Sequence, residues 1–166
     1  MPDAVPVLAL VTLQRLLELV VSARHEVRLR ARGAYEVGRE HYPFMVALHA
    51  AWLVGLWVFA LPQAANWWLV GAYGLVQVAR YWVISTLGER WTTRILVLPG
   101  AALVRSGPYR ILRHPNYAVV VTEIALLPLA FGLLAYAIVF SILNATVLMW
   151  RIRVENRALA ATASVP

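Results

Sequence analysis

Arg113, His114 and Pro115, followed by Asn116 and Tyr117, close a polar segment that begins at Gly107 and includes Pro108, Tyr109 and Arg110. The segment sits between long apolar runs, and crossing a bilayer requires none of it, so its placement points to a ligand site at a membrane surface. Proline is favoured in the first helical turn because its missing N–H is not needed there. The spacing therefore predicts a helix that opens at Pro115 with His114 at its lip. The free N–H groups of that turn, aided by the helix dipole, can hold a carboxylate or a phosphate, and Arg110 and Arg113 can add a charged fork. The same residues would also suit a loop whose arginines only meet lipid headgroups. Spacing alone does not choose between the two.

A second constellation lies near the C-terminus. Asn144, Arg151 and Glu155 are seven and four residues apart, which puts them on one stripe of a helix. Arg151 and Glu155 can pair directly, although Arg before Glu is the weaker order on an isolated helix. Such a pair is more often a solvated ion pair of little worth, but here Asn144 continues the stripe into an apolar run. Ionisable groups inside apolar runs are costly and usually face a bundle interior. Arg15 and Glu18, three residues apart, read as mutual neutralisation. Glu123 and Arg80 lean towards the lining of a cavity, and with Asn144 they are the expected substrate contacts. His41 and His49 read as interfacial or helix-packing residues, and no His/Asp/Glu spacing resembles a metal site. The absence of cysteine excludes disulfides, thiolate metal sites and Cys nucleophiles. No Ser-centred elbow, P-loop or Gly-rich dinucleotide fingerprint is present.

The elements that must position these residues follow from composition. The chain has 166 residues, of which 61% are hydrophobic, too large a fraction for a soluble domain of this size to hide. The net charge is +7 and every basic residue is arginine, placed between the apolar runs as membrane-flanking residues are, which disfavours nucleic acid as a partner. Apolar runs cover 4–21, 44–61, 67–84 and 118–150. The first lacks a basic leader and a cleavage pattern and reads as a retained helix. One crossing takes about 20 residues. The last run is too long for one crossing and slightly short for two, and Pro128 with Phe131-Gly132 predicts a tight helical hairpin whose first helix starts at Pro115.

The expected fold is all-α, a polytopic membrane protein of five transmembrane helices forming one domain over 1–166. Segments 1–84, 85–117, 118–150 and 151–166 would be three helices, a cytoplasmic loop, the hairpin and a cytoplasmic tail, with a frayed end from 158. Five crossings place all the arginine-rich connections on one side, and the excess of positive charge inside sets the N-terminus outside and the C-terminus in the cytoplasm. A four-helix count would separate the basic tail from the other basic loops. Trp67, Trp68 and Trp150 fit interfacial anchoring.

Together, Val104-Arg105-Ser106-Gly107-Pro108-Tyr109, then Arg113-His114-Pro115-Asn116-Tyr117, then Arg151-Ile152 followed by Glu155, resemble the isoprenylcysteine carboxyl methyltransferase family over about residues 80–160. Leu87-Gly88-Glu89-Arg90-Trp91-Thr92 is similar to the segment that precedes this motif in relatives. These are integral membrane enzymes that use S-adenosylmethionine without a Rossmann domain. In the N-terminal half, Gln14-Arg15-Leu16 with Glu18-Leu19, Ser22 with Arg24, Gly33 with Glu36, and His41-Tyr42-Pro43 resemble the bacterial branch that methylates alkylpyrones and alkylresorcinols. The chain departs from eukaryotic members in its length and in carrying Glu155-Asn156 where they carry paired acids.

The resemblance implies S-adenosylmethionine as cofactor, bound by the backbone near Val104 and Gly107 and by Tyr109, His114 and Tyr117, with Arg113 ordering the loop. Arg151 and Glu155 are implied as the catalytic pair, where the cofactor meets the acceptor. The implied reaction is O-methylation of a lipophilic hydroxyl acceptor at the cytoplasmic face of a bacterial inner membrane, Glu155 orienting or deprotonating the hydroxyl while Arg151 fixes Glu155. Holding oxygen, methyl carbon and sulfur in line can supply roughly 7–11 kcal/mol. Alternatives are a phospholipid or isoprenylcysteine acceptor, an NADPH-dependent enzyme like the membrane sterol reductases, and a non-enzymatic membrane adaptor. The oligomeric state is not legible.

Overall fold

The structure, a computed structural model, describes residues 3–163, with side chains described as far as Ala158. Its elements are α1 (Ala4–Ala31), β1 (Tyr35–Val37), α2 (Tyr42–Phe59), α3 (Trp67–Leu87), β2 (Ile95–Val97), α4 (Pro115–Ala130) and α5 (Leu134–Ala163). A 3-10 turn over Gly107–Arg110 precedes α4. Helix α4 starts at Pro115 with His114 as its N-cap residue. The chain reverses at Phe131 and Gly132, which has φ of 71°, a left-handed conformation that glycine adopts without steric cost. Asn66 caps α3 by accepting from the Trp68 and Leu69 N–H groups.

Three expectations are corrected. The fold is mostly helical but not wholly so: β1 and β2 pair antiparallel, with Glu36 opposite Leu96. Strands of three residues are too short to show an alternating pattern. Helix α1 runs ten residues past the end of its apolar run, because Arg30 pairs with Glu26 one turn back and sustains the helix in polar surroundings. Helix α5 continues through Ala163, where a frayed end was expected from 158, while 164–166 lie outside the described residues. Among the described residues, three helical segments are long and apolar enough to cross a membrane: Ala4–Ala31, Arg39–Phe59 and Leu134–Ala158. Helix α4 is apolar but has 16 residues, about 24 Å of rise against a hydrocarbon core of about 30 Å. Helix α3 carries Gln77, Arg80, Ser85 and Thr86 along its 21 residues.

The bundle is layered along its length. At one end Leu8 and Val11 of α1, Trp52 and Leu56 of α2, Tyr73 of α3 and Ile124 and Leu127 of α4 form the apolar core, closed by Phe131. Trp52 Nε1 donates to the Ile124 carbonyl across it at 3.2 Å. Beneath that core lies a buried ionic layer. Arg80 of α3 grips Glu18 of α1 with two hydrogen bonds, Nε to Oε1 at 2.6 Å and Nη2 to Oε2 at 2.5 Å, and its Nη1 donates to Glu123 of α4 at 3.0 Å. Arg15 reaches the same two carboxylates, each at 2.9 Å. Gln14 donates to Glu18 and to Gln77, and Gln77 donates to Glu123. Two cations and two anions thus neutralise each other in a closed ring, with almost every lone pair used, which is what permits ionised groups away from water. Below this layer, at the arginine-rich end, the loops converge.

Candidate functional site

The loop between α3 and α4 is held from outside its own sequence. The Thr93 N–H donates to Ser22 Oγ of α1 at 2.8 Å, and the Trp91 carbonyl accepts from His25 Nδ1 at 2.8 Å. Tyr42 Oη of α2 lies 3.3 Å from Thr93 Oγ1. Arg94 stacks over the Tyr42 ring at 3.9 Å and pairs with Glu36 of β1 at 2.5 Å. These contacts leave the Thr93 carbonyl fixed, and it accepts from Arg151 Nη1 of α5 at 2.7 Å. Arg151 is 7% exposed, so its aim is set by the protein rather than by water.

Arg151 does not pair directly with Glu155, as the helical spacing had suggested. Tyr117 of α4 stands between them: Arg151 Nε donates to Tyr117 Oη at 2.9 Å, and Tyr117 Oη donates to Glu155 Oε2. Arg151 Nη1 also contacts Met45 Sδ of α2 at 3.1 Å. The His114 ring stacks on Tyr117, with centroids 5.3 Å apart, and its Nδ1 lies 3.9 Å from Glu155 Oε2. The proline-led turn and the C-terminal stripe therefore meet at one carboxylate.

These groups line a cavity of about 1260 Å³. Of the residues expected at a site, Val104, Tyr109, Arg113, His114, Tyr117, Arg151 and Glu155 line it. Gly107 does not: it has φ of 52°, and a Cβ there would lie 2.7 Å from Thr86 Oγ1, so the glycine lets the loop close onto α3. Arg80, Glu123 and Asn144 do not line it either. The reading of Arg80 and Glu123 as a cavity wall is corrected by the ionic layer, which consumes their hydrogen-bonding capacity, and Asn144 is buried within the bundle. Trp91, Thr92, Arg94, Asn116 and Asn156 also stand in the wall, where sequence reasoning had given none of them an individual role. Asn116 stood inside the polar segment already singled out and Asn156 adjoins Glu155, and those positions were the available signal.

Charge around the cavity is lopsided. Arg105, Arg110 and Arg113 are exposed on its rim and, among the described residues, make no hydrogen bond or ion pair with the protein. Glu155 is the carboxylate in its wall. Burial pushes the Tyr109 phenol above its ordinary range and the Glu155 carboxylate adds to the shift, so Tyr109 stays protonated.

The Glu36 cluster braces the loop and responds to acid. Burial alone would raise this carboxyl, but hydrogen bonds from Arg94 and Arg30 outweigh it and hold it below its ordinary value of 4.5. Its side chain is 5% exposed. A depressed carboxyl stabilises the fold at pH above its unfolded value, and that contribution is lost as pH falls through the lower folded value. The unfolding temperature of the detergent-purified protein is therefore expected to drop below about pH 4.5, and Glu36→Gln to flatten that acid limb while lowering the plateau at neutral pH. Identical pH profiles for the two proteins would remove Glu36 from the account.

Residues 68–161 match the model of the isoprenylcysteine carboxyl methyltransferase (ICMT) family. The chain is 41% identical over 157 residues to the protein of Bacillus subtilis named "Uncharacterized protein YpbQ", covering 92% of this chain and 94% of that one. It is 31% identical over 108 residues to an uncharacterized protein of Haemophilus influenzae, covering 62% of this chain and 63% of that one. No solved structure matches it.

Proposed function

The chain belongs to the isoprenylcysteine carboxyl methyltransferase (ICMT) family, whose members are membrane methyltransferases, and from that premise we propose that it is an S-adenosylmethionine-dependent O-methyltransferase acting on a lipid-tailed hydroxyl acceptor. The acceptor class is the alkylpyrone or alkylresorcinol type. The observation that carries the reading is Tyr117 held between Arg151 and Glu155 in the wall of a cavity of about 1260 Å³. That volume exceeds the range of roughly 300–1,000 Å³ usual for one small ligand, so it has room for two reactants side by side.

The donor set suits the cofactor. Its carboxylate needs cations, and Arg105, Arg110 and Arg113 stand on the rim without partners among the described residues. Its sulfonium tolerates aromatic faces, and Tyr109 with the stacked rings of His114 and Tyr117 lines the cavity. Among the described residues His114 Nε2 is buried without a hydrogen-bond partner, the state of a group whose partner arrives with a ligand. When bound, S-adenosylmethionine supplies an electrophilic methyl group.

The chain's own residues do the rest. Glu155 accepts a hydrogen bond from the acceptor hydroxyl and takes its proton as the oxygen becomes bonded to carbon. Tyr117, donating to Glu155, fixes which carboxylate oxygen faces the acceptor. Arg151, locked by the Thr93 carbonyl, keeps the Tyr117 hydroxyl pointing at Glu155. In this reading the protein crosses the bacterial inner membrane five times with its N-terminus outside, and the cavity faces the cytoplasm. Support comes from the arginines, which gather in the segments around the cavity and in the C-terminal stretch.

Calorimetry on the detergent-purified protein tests the cofactor, and mass spectrometry of an alkylresorcinol incubated with S-adenosylmethionine tests the reaction. The expected result is S-adenosylhomocysteine binding and a product heavier by one methyl replacing one hydrogen. NADPH binding in its place, or no nucleoside binding at all, would overturn the proposal.

A further inference from the structure

Two further side chains in the cavity wall have an unpaired buried atom: among the described residues, the amide oxygens of Asn116 and Asn156 have no hydrogen-bond donor, and neither has solvent access. Buried polar atoms in proteins are almost always paired, and an orphan costs as much as a lost hydrogen bond. The two amides do not occur at random. Asn116 directly precedes Tyr117 in the first turn of α4, and Asn156 directly follows Glu155 on α5. Each therefore neighbours one member of the pair that addresses the reacting hydroxyl.

The chemistry of an amide narrows the ligand. Rotation about its last side-chain bond exchanges oxygen and nitrogen at little cost, so each asparagine can offer an acceptor or a donor to the cavity. A hydroxyl, which also donates and accepts, satisfies either orientation. The site is uncharged at position 156, so it neither repels an oxyanion forming nearby nor demands a cation. The cofactor's charged end is met elsewhere, by the guanidinium groups on the rim.

We infer that Asn116 and Asn156 read a second hydroxyl on the acceptor ring, beside the one held by Glu155, and so select rings with two oxygen functions over rings with one. The inference rests on the methyltransferase reading above and adds specificity-determining residues to it.

The test compares an alkylresorcinol with the alkylphenol of the same tail that lacks one hydroxyl. Full-length wild type, Asn156→Ala and Asn116→Ala are assayed in detergent for kcat/KM on each, with S-adenosylhomocysteine affinity measured by calorimetry. Wild type is expected to favour the resorcinol about tenfold or more, because a ring without the second hydroxyl leaves buried amides unpaired. In either variant the ratio should fall towards one while S-adenosylhomocysteine affinity holds. Equal use of both rings by wild type overturns the inference. So does a large loss of S-adenosylhomocysteine affinity in both variants, which would assign the amides to the cofactor. Binding of S-adenosylhomocysteine by wild type without turnover of either ring overturns this inference and leaves the methyltransferase reading standing, whereas absence of that binding removes both. Two variants are used so that a folding defect in one does not decide the outcome.

Discussion

Glu155→Gln is expected to lower kcat by about 10²–10⁴-fold, the usual contribution of a positioned acid–base group, with S-adenosylhomocysteine affinity retained. The amide has nearly the volume of the carboxyl, and its carbonyl can still accept from Tyr117, so the wall keeps its shape. What it cannot do is take a proton. The loss should therefore fall on turnover at saturating acceptor rather than on cofactor binding, and single-turnover rates with calorimetry separate the two. Tyr117→Phe removes the hydroxyl that Arg151 and Glu155 share, leaving a buried guanidinium hydrogen and a carboxylate oxygen without their common partner. Its kcat is expected to fall less than that of the glutamine variant, since the base survives while its aim is lost. Turnover of Glu155→Gln at the wild-type rate would remove Glu155 from the chemistry.

Arg80→Met is expected to destabilise the protein by about 3–5 kcal/mol, the cost of leaving a buried charge without its partner. Removing this guanidinium leaves Glu18 and Glu123 to share Arg15, and three hydrogen bonds disappear with it. The side chains of Arg80 and Glu123 are 8% and 4% exposed, so water cannot take over. The unfolding midpoint in detergent should fall by something of the order of 10 °C. Adding Glu18→Met restores neutrality, leaves Arg15 paired with Glu123, and should recover much of the loss. A double variant that is additive with its singles would show that the layer is not the coupled unit described.

Parts of this arrangement were legible in the sequence because they depend on local rules. Pro115 and His114 announce the start of α4, and Gly132 announces the reversal before α5, since backbone constraints at proline and glycine act within a few residues. The four apolar runs, with the last read as a hairpin of two helices, predicted where all five helices lie. The C-terminal part of α1 was not legible, because a helix sustained by ion pairs carries no apolar signature. Strands β1 and β2 were hidden because three residues hold too little pattern. The Arg151–Glu155 spacing was read correctly as one helical stripe, but the tyrosine that separates them comes from a different helix, and long-range insertion leaves no trace in periodicity. Arg80 and Glu123 could be recognised as costly ionisable groups inside apolar runs. Whether they faced a cavity or one another depended on how three helices pack, which one-dimensional spacing does not encode.

The family match begins at residue 68, yet the aim of Arg151 depends on residues that precede it: Ser22 and His25 fasten the strap that presents the Thr93 carbonyl, and Tyr42 and Met45 close its other side. The segment shared with the family is therefore not a portable module. Transplanted onto unrelated N-terminal helices, it would keep every reactive group and lose the scaffold that orients them.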